Sequence, residues 1–522
     1  MSTTSSTGLG QDESVAPAMS RGRIWLVFGG LMLGMLLTAL DQTVSTAMYT
    51  IVGELDPVHG IERLPWVVTA YLLASVATQP LFGRFADSYG PKPLYLVAMG
   101  LFVAGSAWAG FAHSLTELIA ARVVQGLGAG GAMVLAMAVT AIMLPPQDRA
   151  KYAGIGFPVM TVANVVGPLL GGFFTQPHAF LWTSTSWRWV FLINLPLGVL
   201  GILLVALLLR APAERTPHRI DYLGVAFLVS GTSALLIVAQ WGGKQYAWSS
   251  ATILGFSAVG AILIALFVWR QGRAAEPIIP LRLFRNSTFR VAVPISFIVG
   301  FATFGSIIYV ALYLQVANGL TPTEAGLNML PMTLGMGVGS VFTGRLISKL
   351  NRYRIFGIVG SGAAAVFLGL LGLLSPDTPL WLLGVDLFLF GVGLSQIMQV
   401  PVLAVQNSVP ITEMGTAMAG VMFPRVVGGA FGTAVLSALL LNLLSANLPE
   451  QLRADASNTV SPSVLGTLPA DLRKVVVDAF VSATNTVFVV AALLMVLAFL
   501  LTLLLKEPSG GLRGRPAPPP AD

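Results

Sequence analysis

The chain has no cysteine, few charged residues and few histidines. Without cysteine there can be no disulfide, no thiolate nucleophile and no cysteine-ligated metal site. Charged residues make up only 10% of the 522 residues, whereas soluble globular domains carry roughly 25%. The four histidines come with no His-Glu-x-x-His helix, no phosphate-binding loop and no nucleophile beside its base. These absences argue against a soluble domain and against an enzyme.

Apolar sequence is what the chain has in abundance. Hydrophobic residues make up 55% of it, and they recur in runs of about 20 residues, the length that crosses roughly 30 Å of hydrocarbon. Residues 1–20 lack the basic-then-apolar order of a cleaved signal, so we expect the first run to be a retained helix. The pattern predicts an all-helical integral membrane protein with fourteen transmembrane spans, near 24–53, 64–83, 93–112, 116–143, 150–175, 187–209, 220–240, 250–269, 288–316, 323–347, 354–374, 379–407, 415–443 and 479–505.

The Lys and Arg residues between the predicted spans fall mainly on one side. With the amino terminus placed in the cytoplasm, the connections and tails on that side hold 21 Lys and Arg residues, and the outer connections hold five. This bias follows the positive-inside rule. It predicts a multi-pass protein of the cytoplasmic membrane with both termini in the cytoplasm. The net charge of +7 is then a topology signal, and we expect no nucleic-acid partner.

Two short motifs occur twice in the chain. Ala-Gly-x-x-Phe-Pro at 153–158 returns at 419–424, and Gly-Arg at 83–84 returns at 344–345, with offsets of 266 and 261 residues. Such spacing predicts two parallel six-helix halves, a known plan of transporters, with two extra spans between them. The expected segments are a cytoplasmic tail at 1–23, a first half at 24–209, a linking pair at 210–285, a second half at 286–505 and a tail at 506–522.

The second half contains a long polar outer connection at about 445–478. Its stretch LPADLRKVVVDAF has helical periodicity, which predicts a helix along the membrane surface. The carboxy-terminal GLRGRPAPPPAD has the composition of a disordered segment.

Two charged residues lie inside predicted spans of the first half. Asp41 lies roughly 25 Å along the first span from its cytoplasmic end, and Arg122 lies roughly 9 Å into the fourth span from the outside. Both therefore belong to the outer half of a core of about 30 Å, where contact is possible. A carboxyl group in low dielectric favours its proton and a nearby guanidinium opposes this, so substrate could switch the balance. The alternative is that Asp41 is permanently paired and never titrates.

Four further residues are candidates for a substrate cavity. Asp386 is a lone acid inside a span of the second half, and such a residue marks an ion or cation pathway by default. Gln125 follows Arg122 on the same span. Tyr309 and Tyr313 lie one helical turn apart and could line the cavity, with core packing as the alternative.

A glycine-acid-glycine turn follows the second span. In GRFADSYGPKPLYL, the spacing of Gly83, Asp87 and Gly90 predicts a tight turn. Arg84 and Lys92 place positive charge at its cytoplasmic face. A basic turn alone is common beside membranes, so the glycine-acid-glycine spacing is the specific part of the pattern.

The fifth span contains GIGFPVMTVANVVGPLLGG at 154–172. Ala163, Gly167 and Gly171 recur every four residues and line one helix face, where a neighbouring backbone can approach closely. Pro168 lacks an N–H and predicts a bend. A tight helix–helix contact is the simpler interpretation of the small residues alone.

Together these stretches resemble motifs of the major facilitator superfamily, in its fourteen-span drug:proton antiporter branch. The sequence at 154–172 resembles the antiporter motif of helix 5 through Gly154, Ala163, Gly167, Pro168, Gly171 and Gly172. The turn at 83–92 resembles the superfamily's loop motif, Leu-Asp-x-Thr at 40–43 the helix 1 motif, and Arg-x-x-Gln-Gly at 122–126 the helix 4 motif. The sequence departs from these patterns at Thr46, Thr50, Ser88 and Ala163.

The resemblance implies a proton-coupled exporter of amphipathic, cationic or aromatic compounds. Asp41 and Arg122 would couple the proton, the antiporter motif would favour export, and Asp87 would hold a cytoplasmic gate with Arg425 as its anchor. Three alternatives are a dedicated exporter of one secondary metabolite or lipid, a passive channel, and a membrane-embedded enzyme, which the residues disfavour. We expect a monomer without cofactor or metal, whose partners are a small-molecule substrate, protons and the bilayer.

Overall fold

The apolar stretches form helices because, in hydrocarbon, a backbone N–H or C=O finds its partner within its own helix. The computed structural model describes residues 20–41, 43–57, 60–175, 179–180, 183–184, 186–209, 221–243, 245–449, 452, 462–465 and 468–507. Its helices are α1 (Arg21–Leu40), α2 (Thr43–Leu55), α3 (Gly60–Tyr89), α4 (Pro91–Gly110), α5 (Leu115–Met143), α6 (Pro146–Thr175), α7 (Trp189–Leu192), α8 (Asn194–Leu208), α9 (Tyr222–Trp241), α10 (Ala251–Gln271), α11 (Ser287–Val316), α12 (Pro322–Asn328), α13 (Leu330–Leu350), α14 (Arg354–Leu371), α15 (Leu380–Gln406), α16 (Met414–Asn447), α17 (Pro462–Leu465) and α18 (Ala470–Leu503). Two-residue strands, β1 (Ala179–Phe180) and β2 (Thr183–Ser184), pair antiparallel between α6 and α7.

The predicted fold class, an all-helical membrane protein, is confirmed. Within the described residues, 13 helical segments are long and apolar enough to cross a bilayer. The helix α6 lies at the fifth predicted span, and its 30 residues extend about 45 Å. Every predicted span therefore coincides with one long helix or with two consecutive helices.

Three predicted spans consist of two helices each. In the first span, α1 ends with Asp41 as its C-cap, and α2 begins at Thr43. In two later spans, α7 and α8 meet at Ile193, and α12 and α13 meet at Met329. Pro331, in the first turn of α13, favours a helix start there because proline has no N–H to donate.

The prediction of a separate surface helix at LPADLRKVVVDAF was wrong. This stretch is the beginning of α18, which runs without a break to Leu503. Val476 and Phe480 are fully buried in a core that they share with residues of α11, α14 and α15. The helix continues because neither glycine nor proline interrupts residues 470–503.

The repeated motifs lie where two groups of helices meet. We call α1–α8 the first half and α11–α18 the second half. The helix α3 packs against α16, and α6 packs against α13. Each Gly-Arg motif thus lies on a helix that faces an Ala-Gly-x-x-Phe-Pro helix of the other half. The helix α9 packs on both α3 and α16, and α10 packs chiefly on α9.

Several helix ends are fastened together at one end of the bundle. Arg23 Nε donates to the Leu208 carbonyl over 2.6 Å, and Lys92 Nζ donates to the Leu209 carbonyl over 2.6 Å. The Glu507 carboxylate accepts from the backbone N–H of Tyr353. Leu505, just after α18, shares a buried cluster with Ala150 of α6, and the Tyr152 ring of α6 packs against Trp25 of α1. The start of α1, the α3–α4 turn, the end of α8 and the end of α18 therefore share one end, which we call the basic end.

Candidate functional site

A buried ion pair joins the first span to the fourth. Arg122 Nη2 donates to Asp41 Oδ2 over 2.7 Å, and Nη1 donates to Asp41 Oδ1. The side chain of Arg122 is 1% exposed and that of Asp41 is 8% exposed. The sequence placed both residues at similar depth, and the structure brings them into bidentate contact. The end of α1 at this point presents the carboxylate to α5.

Arg122 is held on all sides by further groups of the first half. Its Nε donates to the Val67 carbonyl over 3.1 Å, and Nη1 also donates to Gln125 Oε1 over 2.8 Å. Its guanidinium lies over the Tyr71 ring, 4.2 Å from the centroid. The planar fork of arginine can make these contacts together, which the point charge of lysine cannot.

Gln125 belongs to this network and is fully buried, so it does not line an open cavity in this conformation. Its Nε2 donates to Ser106 Oγ over 3.3 Å, and Asn194 Nδ2 donates to the same oxygen over 2.9 Å. Gly105 permits the approach, because a Cβ there would lie 2.4 Å from the Gln125 nitrogen. The amide therefore positions Arg122.

Asp386 lies apart from this pair, on α15 of the second half. It is 9% exposed. Among the described residues, neither of its carboxylate oxygens has a hydrogen-bond partner. A carboxylate buried without a partner favours a proton or a cation beside it.

Tyr309 and Tyr313 pack in the core of the second half, so their assignment to an open cavity does not hold in this conformation. They are 2% and 1% exposed. The Tyr309 hydroxyl bonds Ser437 Oγ over 2.8 Å, and the Tyr313 hydroxyl donates to the Ser375 carbonyl over 2.7 Å. Both rings fill the core because their polar ends have partners there.

The acid of the glycine-acid-glycine turn binds a helix start in the other half. Asp87 Oδ1 accepts from the Gly415 N–H over 2.6 Å, and Oδ2 accepts from the Thr416 N–H over 2.8 Å. A carboxylate is favourable there because unpaired N–H groups give a helix start partial positive charge. Arg84 forms an ion pair with Glu276, at 3.5 Å. Gly90 has a φ of +85°, which glycine adopts at little cost.

The predicted anchoring of Asp87 by Arg425 was wrong. Arg425 lies on α16 nine residues beyond Thr416, about 14 Å along the helix. Its Nη2 donates to the Met398 carbonyl over 2.7 Å, and the described residues include no ion pair of Arg425. Backbone N–H groups, which every residue except proline carries, bind Asp87 in place of the expected arginine side chain.

The repeated glycines make close contacts across the two halves. A Cβ on Gly83 would lie 2.6 Å from the Ala419 Cβ, and one on Gly344 would lie 2.9 Å from the Gly154 Cα. Ser340 Oγ donates to the Gly154 carbonyl over 3.1 Å. The first residue of the antiporter motif thus belongs to a contact between α6 and α13.

The remainder of the antiporter motif lies further along α6. Ala163, Gly167 and Gly171 are buried, and a Cβ on Gly172 would meet no atom within 4 Å. The helix is continuous from Pro146 to Thr175. The side chain of Pro168 lies outside the described part of the structure.

Arg149 makes a contact between the halves that the sequence pattern did not reveal. Its Nη1 donates to the Gln406 carbonyl and to Asn407 Oδ1, the latter over 3.1 Å. It is 5% exposed. A cation is favourable there because the last carbonyls of a helix carry partial negative charge. The only signal in the sequence is a basic residue four positions before the first Ala-Gly-x-x-Phe-Pro motif.

Comparison with known proteins identifies this arrangement of helices. The family model described as Major Facilitator Superfamily matches residues 31–433. The chain belongs to the major facilitator superfamily. It is therefore a membrane transporter, and the prediction that it is not an enzyme is confirmed.

Members of the superfamily resemble the chain in sequence and in fold. An uncharacterized MFS-type transporter of Mycobacterium tuberculosis is 37% identical over 94% of this chain and 71% of its own length. Multidrug transporter protein MdtP of Bacillus subtilis is 35% identical over 81% of this chain and 76% of its own length. The human organic anion transporter MFSD10 shares the fold with a TM-score of 0.59 at 16% identity, over 92% of this chain and 98% of that structure.

Proposed function

We propose that the protein is a proton-coupled antiporter that exports amphipathic, cationic or aromatic compounds across the cytoplasmic membrane. The observation that carries the proposal is the buried Asp41–Arg122 pair among membrane-spanning helices. The resemblance to a multidrug transporter of Bacillus subtilis supports export of more than one compound.

Asp41 is suited to exchange its ion pair with Arg122 for a bound proton. A charge inside the bilayer costs about 2.5–3.5 kcal/mol on insertion scales, so the carboxylate is stable while Arg122 lies against it. When α1 and α5 move apart, a proton neutralises Asp41. Arg122 keeps the Val67 carbonyl and Gln125 as hydrogen-bond acceptors. The guanidinium therefore retains partners when the ion pair with Asp41 separates.

The contacts between the halves suggest which side is open in this conformation. Among the described residues, the side-chain hydrogen bonds between the halves lie toward the basic end and involve Asp87, Arg149, Ser340 and Gln406. With the basic end in the cytoplasm, as the positive-inside rule predicts, the closed side is the cytoplasmic one. This conformation then corresponds to substrate release and proton uptake.

Asp386 supplies the selectivity for cations in this proposal. Its carboxylate has no partner among the described residues, so a substrate cation would remove the cost of an unpaired buried charge. Exchange of one inward proton for one outward singly charged cation moves no net charge, so the pH gradient drives it. Each additional proton moving inward down 100 mV supplies about 2.3 kcal/mol more.

A transport assay in inverted membrane vesicles tests the proposal. Dyes of different charge and shape are supplied outside vesicles whose interior is made acidic. We expect uptake of several amphipathic cations, and its loss when an ionophore collapses the pH gradient. Uptake of a single compound from the panel would indicate a dedicated exporter. Dye flux that does not depend on the pH gradient would exclude proton antiport.

A further inference from the structure

The two halves meet along two seams that the internal repeat makes equivalent. In the first seam α3 meets α16 through Gly83, and in the second seam α13 meets α6 through Gly344. An arginine follows each glycine, Arg84 in one seam and Arg345 in the other. The surroundings of these two arginines differ.

The linking helices cover the first seam and neutralise its arginine. The helix α9 packs on both α3 and α16, and Leu228 of α9 shares a buried cluster with Phe423 of α16. The segment after α10 supplies Glu276, which pairs with Arg84 at 3.5 Å. The side chains of this pair are 15% and 26% exposed. Protein therefore supplies both the apolar cover and the counter-ion.

Within the described part of the chain, no helix covers the membrane face of the second seam, which forms a groove of about 490 Å³. Pro158 of α6 lines one side, and Leu334, Val338 and Phe342 of α13 line the other. These three α13 side chains are 60%, 57% and 63% exposed. Large apolar side chains exposed on a membrane-spanning helix face lipid chains. The groove is therefore a lipid-facing feature.

Arg345 lies at the basic end of the groove without a counter-ion from the described residues. It is exposed, and no ion pair or hydrogen bond of its side chain is formed within that part of the chain. It precedes the end of α13 at Leu350 by five residues, about 8 Å. From that depth an arginine side chain reaches the head-group layer. Lys349, one turn further, adds a second exposed positive charge.

We infer that this groove binds one anionic phospholipid, with an acyl chain along Leu334–Phe342 and its phosphate on Arg345. The lipid would give the second seam an apolar cover and a counter-ion, which the linking helices and Glu276 give the first seam. Its negative charge matches Arg345 and Lys349, whereas a cationic substrate would meet like charge. Because the groove joins α6 to α13, bound lipid stabilises the conformation in which these helices touch at Gly154 and Gly344. The inference does not depend on proton antiport.

Native mass spectrometry of the detergent-solubilised protein tests this site. The protein is titrated with phosphatidylglycerol and, separately, with phosphatidylcholine of the same acyl chains. We expect the tightest site to prefer phosphatidylglycerol by about fivefold, the effect of one basic residue at a membrane surface. Arg345→Gln should abolish that preference, and Arg345→Lys should retain most of it. Val338→Trp should fill the groove and weaken binding of both lipids.

Arg290→Gln is the matched control. Arg290 is an exposed arginine in the first turn of α11, outside the groove, and its replacement should leave the preference unchanged. Thermal unfolding of each variant checks the fold. Equal binding of the two lipids by the unmodified protein would overturn the inference, as would a preference that survives Arg345→Gln. Displacement of bound phosphatidylglycerol by a cationic dye would show that the groove holds substrate instead.

Discussion

At the scale of single residues, Asp41 and Arg122 show how much of the site could be predicted from the sequence. Their depths could be estimated from the rise of a helix, because each position can be counted from an end of its apolar stretch. Asp41 also ends α1, which the sequence did not indicate because no glycine or proline marks the position. The partners of Asp87 were not predictable, because they are backbone amides of Gly415 and Thr416.

Asp386 yields a prediction about substrate charge. Asp386→Asn keeps the size of the side chain and removes its negative charge. We expect the affinity for cationic dyes to fall by about tenfold or more, because an unpaired buried cation is costly, while neutral dyes change little. Binding is measured by fluorescence titration of purified protein.

Asp377→Asn is the control for this experiment, because Asp377 is an exposed acid in the connection between α14 and α15. It should leave both classes of dye unaffected. An equal loss for cationic and neutral dyes in Asp386→Asn would assign Asp386 a structural role.

At the scale of helices, the presence of each helix was easier to predict than its ends and its contacts with other helices. Each span was visible because about 20 apolar residues are needed to cross the bilayer. The meeting of α12 and α13 at Met329 and the start of α18 at Ala470 depend on local turns within polar or mixed sequence. The contacts of Gly83 with α16 and of Gly344 with α6 follow from the internal repeat only once the halves are placed face to face.

The antiporter-motif stretch of α6 yields a prediction about neighbouring glycines. Gly171 is buried, whereas a Cβ on Gly172 would meet no atom within 4 Å. Gly171→Leu should separate helices that now pack closely, so we expect the protein to reach the membrane and lose most uphill export. Gly172→Ala should retain uphill export. The measurement is dye accumulation in inverted vesicles at matched expression, and unchanged export by Gly171→Leu would remove this stretch from the mechanism.

At the scale of the whole molecule, two charged contacts cross between the halves at the basic end. Asp87 binds the start of α16, and Arg149 binds the end of α15. The negative charge of Asp87 lies at a helix start and the positive charge of Arg149 lies at a helix end, which are the signs that these helix ends favour. In the proposed mechanism, closure of this end depends on a few charge-assisted hydrogen bonds as well as on packing.

Arg149→Gln should shift the population toward opening at the basic end. A hydrogen bond to a charged group contributes about 1.5–3 kcal/mol, so the open fraction should rise by about tenfold or more. The chain has no cysteine, which allows a single reporter at Ala417, a fully buried residue of α16. Ala417→Cys should react faster with a water-soluble maleimide when Arg149 is replaced.

Lys349→Cys, at an exposed position of the same end, provides the reference rate. It should react equally with and without the Arg149 substitution. An unchanged rate at position 417 would show that packing alone keeps this end closed.

The central claim is that Asp41 carries the transported proton, and substrate-induced proton release tests it most directly. Purified protein in weakly buffered detergent solution is mixed with a cationic dye that it binds, and the released protons are measured with a pH indicator. We predict release by the unmodified protein and none by Asp41→Asn, which fixes a neutral side chain at nearly constant shape and still binds dye. Release of the same number of protons by Asp41→Asn would contradict the account and make Asp386 the next candidate.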